Sequence, residues 1–421
     1  MMLFNWLRRL FGRFPQSQAA AAAPRHRSER ARREHRRVKL VPLRYRPRQH
    51  SAESSTVESP AYRFARPSIS GGWLDLSHDQ NDGRLDRFNL PKFRHPQELA
   101  GWLEIPLGQL AWLVHRFDDG ERPADERSAH YCYRWIPKRS GGARLIEAPK
   151  SKLKGVQRRI LAEILSRVPP HPAAHGFIAG RSICSNARPH VGQRVVVKLD
   201  LEQFYPTVSF SRVVAIFRSL GYAREAAVWL GRLTTAALPH SLVRQGTGNP
   251  DLKPYLGRRL PQGAPTSPAL ANLSAFPLDL RLSGLARTFG ANYTRYADDL
   301  TFSGDERFLK SLWVFLPLVD QIVRSERFDL NKSKRKIIRS NQRQTVTGIV
   351  VNSRPNMARR DYDALKAVLT NCIRRGPSTQ NHSRHPNFAA HLLGRIAHAS
   401  QLNPKRGQKL HDLYRQIDWN K

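Results

Sequence analysis

The sequence predicts an α+β fold: a small antiparallel sheet carrying acidic residues, helices around it, and a basic, largely disordered extension in front. Three observations lead there. Val195-Val196-Val197-Lys198-Leu199 is a β-branched run of the length of a buried strand, and Asp200 stands at its carboxyl end. Further on, strand-like stretches at 291–296 and 300–303 flank Tyr296-Ala297-Asp298-Asp299, so the acid pair is expected in a tight hairpin turn. Residues 150–168, 209–221, 308–327 and 357–419 instead repeat apolar residues at helical spacing.

Composition sets the partner class. The chain has 421 residues, with 71 Lys and Arg against 33 Asp and Glu, a formal charge of +38. Self-repulsion at that charge opposes a compact state unless a polyanion offsets it, which makes nucleic acid the default partner and leaves the chemistry open. Cys132, Cys184 and Cys372 are widely spaced and fall in no Cys-x-x-Cys or Cys/His pattern. They argue against a disulfide framework and a structural zinc site, and fit a reducing cytoplasm. The apolar stretch at 1–14 is interrupted by Arg8, Arg9 and Arg13. It is too short to span a bilayer and lacks a signal peptide's centre, so no membrane partner is expected. An arm that docks a partner is preferred to a membrane-surface helix.

Taken in order, residues 1–50 hold 14 Lys or Arg and only Glu29 and Glu34 as acids. Too little apolar surface is present to offset the entropy of ordering, so disorder and nonspecific attraction to phosphate are expected, with 25–39 turning helical on RNA. Residues 51–90 read as a Ser/Pro/Gly linker with a short ordered piece at Trp73-Leu74. Order is expected from Pro96, which divides the chain into an extension over 1–95, a main body over 96–355 and a helical end over 356–421. Two short helices are expected over 98–114. A hairpin follows over 133–149, with Lys138 and Arg144 flanking its Ser140-Gly141-Gly142 turn. Those cations either close over a polyphosphate or are solvated, and spacing does not decide. Asn186-Ala187-Arg188-Pro189-His190 reads as ordinary loop polarity. After helices at 209–221 and 224–238, the rigid loop Leu260-Pro261-Gln262-Gly263-Ala264-Pro265-Thr266-Ser267-Pro268 opens onto one helix over 269–285. Gly263 lets the backbone approach a ligand closely, and Gln262 offers a hydrogen bond to a sugar or base. A basic turn over 330–334 and a strand-rich segment over 345–352 complete the main body.

The acids supply the chemistry. Adjacent carboxylates repel unless a cation neutralises them, and an oxygen-only donor set suits a hard ion such as Mg²⁺. If Asp200 and the Asp298-Asp299 turn share one sheet, three carboxylates converge, as two-metal phosphoryl transfer requires. Lys138 and Arg144 would then hold a triphosphate. Tyr205 either packs beneath the incoming sugar and excludes a 2′-hydroxyl or is a core aromatic.

These segments together resemble the reverse transcriptases, specifically the bacterial retron type. Residues 199–206 look like the family's first catalytic motif, 260–268 like its nucleotide loop, and 296–299 like its Tyr-x-Asp-Asp hairpin. Asn186-Ala187 with His190 matches an Asn-Ala-x-x-His pattern and Val346-Thr347-Gly348 a second triplet; both are similar to what sets retron enzymes apart, and are assigned to RNA recognition. Lys334 falls at the basic position after the hairpin. The resemblance covers roughly 96–421. It implies a right-hand polymerase, with fingers and palm over 96–355 and thumb over 356–421. In it Asp200, Asp298 and Asp299 bind two Mg²⁺, and Lys138, Arg144, Tyr205, Gln262, Gly263 and Lys334 meet the deoxynucleotide. Tyr205 and Ala297 stand where many relatives carry Phe and Val. No ribonuclease H segment can be fitted after the thumb, which implies a host ribonuclease H. The family also implies a structured noncoding RNA as template and primer, dNTPs, an RNA–DNA product released as multicopy single-stranded DNA, 2′-hydroxyl priming, and an effector protein in defence against phage. The alternatives weighed are a group II intron-like transcriptase and a noncatalytic RNA-binding component.

Overall fold

A computed structural model describes residues 56–114, 122–138, 141–245 and 250–419. The expectations for residues 1–50 lie outside the described residues. The first strands are β1 (Thr56–Val57), β2 (Arg66–Pro67) and β3 (Trp73–Leu74), joined antiparallel in the order β1-β3-β2. The expected start of order at Pro96 is therefore too late. Residues 51–90 have linker composition, and Ile69 is fully exposed, but Tyr62, Ala65, Leu85 and Leu90 are buried in the body, as is Phe93 just beyond. Phe93 stacks on Trp102 at 5.2 Å and on Tyr222 at 4.8 Å. Asn81 caps the short helix Asp82–Asp86, and its backbone accepts no Cβ at Gly221, where one would stand 2.4 Å from the Asn81 carbonyl oxygen.

The helices Pro96–Leu103 and Leu107–Leu113 occur as expected, and so does the hairpin of β4 (Tyr131–Pro137) with β5 (Ala143–Pro149). At the centre lies a four-stranded antiparallel sheet formed by β6 (Val195–Asp200), β7 (Asn292–Tyr296), β8 (Asp299–Gly304) and β9 (Lys336–Arg339), in the order β7-β8-β6-β9. Val195, Val196 and Val197 are wholly buried, as a β-branched run between two neighbours should be. Strand β9 has no expectation behind it. Its four residues, Lys336-Ile337-Ile338-Arg339, begin and end on cations and form one exposed edge of the sheet, and two apolar residues are too short a run to announce a strand. The other edge, β7, is covered: Arg295 N–H donates to the Ala173 carbonyl and His175 N–H to the Arg295 carbonyl, both at 2.7 Å.

The expected helix over 269–285 is two helices, Ser267–Ser274 and Phe276–Thr288. Pro277 has no N–H for the carbonyl a turn behind it, so the chain breaks at Ala275 and restarts with proline in the first turn. Strands β10 (Thr345–Val346) and β11 (Ile349–Val350) form a small hairpin, with positive φ at both Thr347 and Gly348 in its turn. The helices Arg359–Arg375, Phe388–Leu402 and Pro404–Arg415 follow and share a core of Tyr362, Leu365, Leu369, Leu392, Ile396 and Leu410. Among the described residues no helix is long and apolar enough to cross a membrane.

Candidate active site

Strand register brings the acids together. Asp200 is the cross-strand partner of Asp299, and Tyr296 is the partner of Asp299 on its other side, leaving Ala297 and Asp298 as the turn. Ala297 adopts a left-handed φ of 55°. The turn is tied to the end of β6 by Leu201 N–H donating to the Asp298 carbonyl at 2.9 Å. Asp200 is tied in turn by Asn331 N–H donating to its carbonyl at 2.8 Å. Burial raises the Asp298 carboxyl to about 6, and the neighbouring Asp200 and Asp299 charges push in the same direction. Asp299 is raised as well, chiefly by burial, with Lys198 opposing.

This is the electrostatic state of a donor set that a hard dication relieves, and oxygen-only carboxylates are the donors such an ion takes. The residues therefore fit divalent metal. Among the described residues no group of three His, Cys, Asp or Glu side chains already stands in a metal-ligating array. The Lys334 ammonium instead sits 3.0 Å from Asp200. Lys334, expected at the nucleotide, is here a counter-charge to the first acid.

A buried arginine holds the turn from behind. Arg295 of β7 is fully inside and pairs with Asp279 on the helix Phe276–Thr288 at 2.6 Å. Its Nη1 also donates to Asn272 Oδ1 at 2.9 Å and to the Ala297 carbonyl at 3.0 Å. Asn272 Nδ2 donates in turn to the Gly176 carbonyl at 2.9 Å. A Cβ at Gly176 would lie 2.7 Å from the Ala297 nitrogen, so only glycine permits this seating. Sequence reasoning missed Arg295, Asp279, Asn272 and Gly176. The available signal was a lone charge inside the strand-like run Asn292-Tyr293-Thr294-Arg295-Tyr296, since burial there demands a partner.

Tyr205 is half-buried near the acids. Burial pushes its phenol up to about 12 and the Asp298 charge adds to the shift, while Arg295 and Arg144 oppose it. Arg144 thus reaches the field of the site from an exposed position on β5, opposite Ile136. Lys138 stands at the end of β4, its N–H bonded to the Gly142 carbonyl at 3.0 Å. The hairpin is fixed to the loop of Gln262 and Gly263 by Glu147 N–H donating to the Gln262 carbonyl at 2.9 Å. Gly263 has φ 135°, and a Cβ there would stand 2.9 Å from the Glu147 carbonyl oxygen. Beneath the junction Glu147 and Arg259, both fully buried, pair at 3.0 Å. This pair too went unseen in the sequence, because its partners lie 112 residues apart.

The two segments assigned to RNA recognition lie in contact with each other. Asn186, Ala187, His190 and Val346 are completely buried, so their side chains pack within the fold. His190 bonds Ser303 Oγ through Nδ1 at 2.7 Å and Thr294 Oγ1 through Nε2 at 2.8 Å, bridging β8 and β7. Since Thr294 gives its hydroxyl proton to the Asn186 carbonyl, Nε2 is the protonated nitrogen and Nδ1 accepts from Ser303. Burial lowers its pKa to about 3, keeping the ring neutral. Asn186 Nδ2 reaches Thr347 Oγ1 at 3.5 Å, so the motif braces the back of the acid hairpin against the β10–β11 turn. Thr347 is half-buried and Gly348 exposed; those two remain accessible.

A family model described as reverse transcriptase (RNA-dependent DNA polymerase) matches residues 136–351. The chain is 40% identical to the retron Mx65 reverse transcriptase of Myxococcus xanthus over 331 residues, 78% of this chain and 73% of that one. It is 38% identical to the retron Mx162 reverse transcriptase of the same organism over 289 residues, 66% of this chain and 57% of that one. To the retron Ec86 reverse transcriptase of Escherichia coli it is 32% identical over 292 residues, covering 69% and 81%. With the α+β right-hand architecture and the acid hairpin at its centre, the chain belongs to the reverse transcriptases, RNA-directed DNA polymerases, and among them to the bacterial retron type.

Proposed function

We propose that the protein copies part of a cognate structured noncoding RNA into multicopy single-stranded DNA, starting from an RNA 2′-hydroxyl, by nucleotidyl transfer at Asp200, Asp298 and Asp299. The observation carrying this is the register that sets Asp200 opposite Asp299 with Asp298 in the adjoining turn. Two Mg²⁺ ions held by these carboxylates would supply an activated primer hydroxyl and a stabilised pyrophosphate leaving group. The chain's own side chains select and orient the nucleotide. Arg144 and Lys138 on the β4–β5 hairpin draw the triphosphate of the dNTP inward. Gln262 and Gly263 border the sugar and base, with Glu147 and Arg259 fixing their distance from the hairpin. Tyr205 lies under the sugar and closes the space a 2′-hydroxyl needs. Arg295 keeps the turn in place while the acids take up and release charge.

The partners follow from this chemistry and from the retron family. The structured RNA serves as template and primer, the product is an RNA–DNA hybrid, and a separate host ribonuclease H removes copied RNA. We place the ribonucleoprotein in the cytoplasm, working with an effector protein in defence against phage. The decisive assay is Mg²⁺-dependent cDNA synthesis by Asp298→Asn/Asp299→Asn. Synthesis should vanish while RNA binding persists, and retained synthesis sinks the assignment. Sequencing the nucleic acid that copurifies with the protein, with a search for a 2′–5′ branch, tests the RNA and the priming mode; linear cDNA alone would remove the 2′-hydroxyl start.

A further inference from the structure

We infer that Phe177 is a contact of the growing duplex end, a stacking face set beside the acid hairpin. Its backbone lies at φ 60°, where a bulky side chain is an outlier, and the residue is 59% exposed. Both features work against stability, and neither reflects a loose loop. On one side, His175 N–H donates to the Arg295 carbonyl, the His175 ring meets Ser185 Oγ at 2.9 Å, and the Gly176 carbonyl accepts from Asn272. On the other, Arg181 N–H donates to the Ile178 carbonyl at 3.1 Å, and the Arg181 guanidinium gathers the carbonyls of His171, Pro172 and Ala174. The surroundings thus hold a penalised conformation on an over-determined backbone, a pattern of sites where strain serves function.

What the conformation achieves is the placement of the ring. Phe177 stands 6.3 Å from the Tyr296 ring at 43°, and the glycine before it is pressed on the turn nitrogen of Ala297. The two aromatics form a step adjoining Asp298 and Asp299. A flat apolar face at that place suits the base or sugar of a nucleic acid end, which stacks on aromatics without regard to sequence. The incoming nucleotide already has Tyr205, Arg144 and Gln262, so the ligand assigned to Phe177 is the primer–template terminus.

The inference rests on Asp298 and Asp299 being the reaction centre. The test is single-nucleotide extension on a preformed RNA–DNA primer–template, comparing wild type with Phe177→Ala, Phe177→Gly and Phe177→Tyr. The alanine and glycine variants should need about tenfold more primer–template for half-maximal rate, at unchanged KM for dNTP, and tyrosine should restore the wild-type value. Thermal unfolding of Phe177→Gly should occur at or above the wild-type Tm, because glycine takes the left-handed backbone without strain. An unchanged primer–template requirement, a change confined to the dNTP, or a lowered Tm for Phe177→Gly would each overturn the inference. Asp298→Asn/Asp299→Asn enzyme that still extends primers overturns the reaction centre itself. Phe177 variants with wild-type parameters, in an enzyme that does depend on those acids, overturn only the stacking role.

Discussion

Asp298 and His190 pull the pH dependence of stability in opposite directions. Asp298 is raised from 3.8 to about 6, so the folded chain keeps a proton that the unfolded chain releases; its contribution is full below pH 3.8 and lost as pH rises through about 6. His190 is lowered from 6.5 to about 3, so its contribution is full above pH 6.5 and lost as pH falls toward 3. Urea unfolding of metal-free protein should separate them. Asp298→Asn should gain on wild type as pH rises from 4 to 6, whereas the advantage of wild type over His190→Gln should grow by up to about 1.4 kcal/mol per pH unit from 5 to 6.5. Tyr205→Ala should raise ribonucleotide incorporation, read as the ratio of kcat/KM for rNTP and dNTP; unchanged selectivity would move that role elsewhere. Arg295→Leu leaves Asp279 charged and buried, and should cost about 3–5 kcal/mol in chemical denaturation. At this scale the sequence disclosed the three acids, whose spacing and flanking strands are local. It hid Arg295 and Asp279, since a buried ion pair is defined by two elements meeting and neither half is marked alone.

Among elements, junctions decide how well the chemistry is aligned. Gly176→Ala would drive a methyl against the turn nitrogen of Ala297, and a displacement of the acids by a fraction of an ångström is costly. Expected is a fall in kcat of at least about tenfold with primer–template affinity retained, measured by single-turnover extension. At the hairpin-to-loop junction, Gly263→Ala should act mainly on KM for dNTP, because it separates Gln262 from the hairpin that carries Arg144. The strands β6, β7 and β8 were legible because β-branched runs and a tight turn are written in contiguous residues. The break at Ala275 was obscured because the apolar spacing continues through it, and Pro277, the residue responsible, occupies a position that also suits a helix start. The Asn186–His190 segment shows a different limit: a motif points to a family without saying whether its side chains face RNA or the core.

For the molecule as a whole, the extension and the body must be cut at the right place. Removing residues 1–55 should make the salt dependence of RNA binding shallower, by roughly 0.7 in the log–log slope for each single-strand phosphate that the removed cations no longer neutralise. Removing residues 1–90 takes Tyr62, Leu85 and Leu90 out of the core, and loss of the cooperative unfolding transition is expected. Linker-like composition concealed this, since burial is decided by a handful of side chains and composition averages over all of them. The charge of +38 correctly named the partner class, being a property of the entire chain that no fold can hide. The edges of the central sheet carry a further consequence. One outer strand is sheathed by Ala173–His175 and the other is four residues long with Lys336 and Arg339 at its ends. Both are common guards against strand-to-strand recruitment between molecules. The central sheet therefore offers no long bare edge along which a second copy of the chain could add a strand.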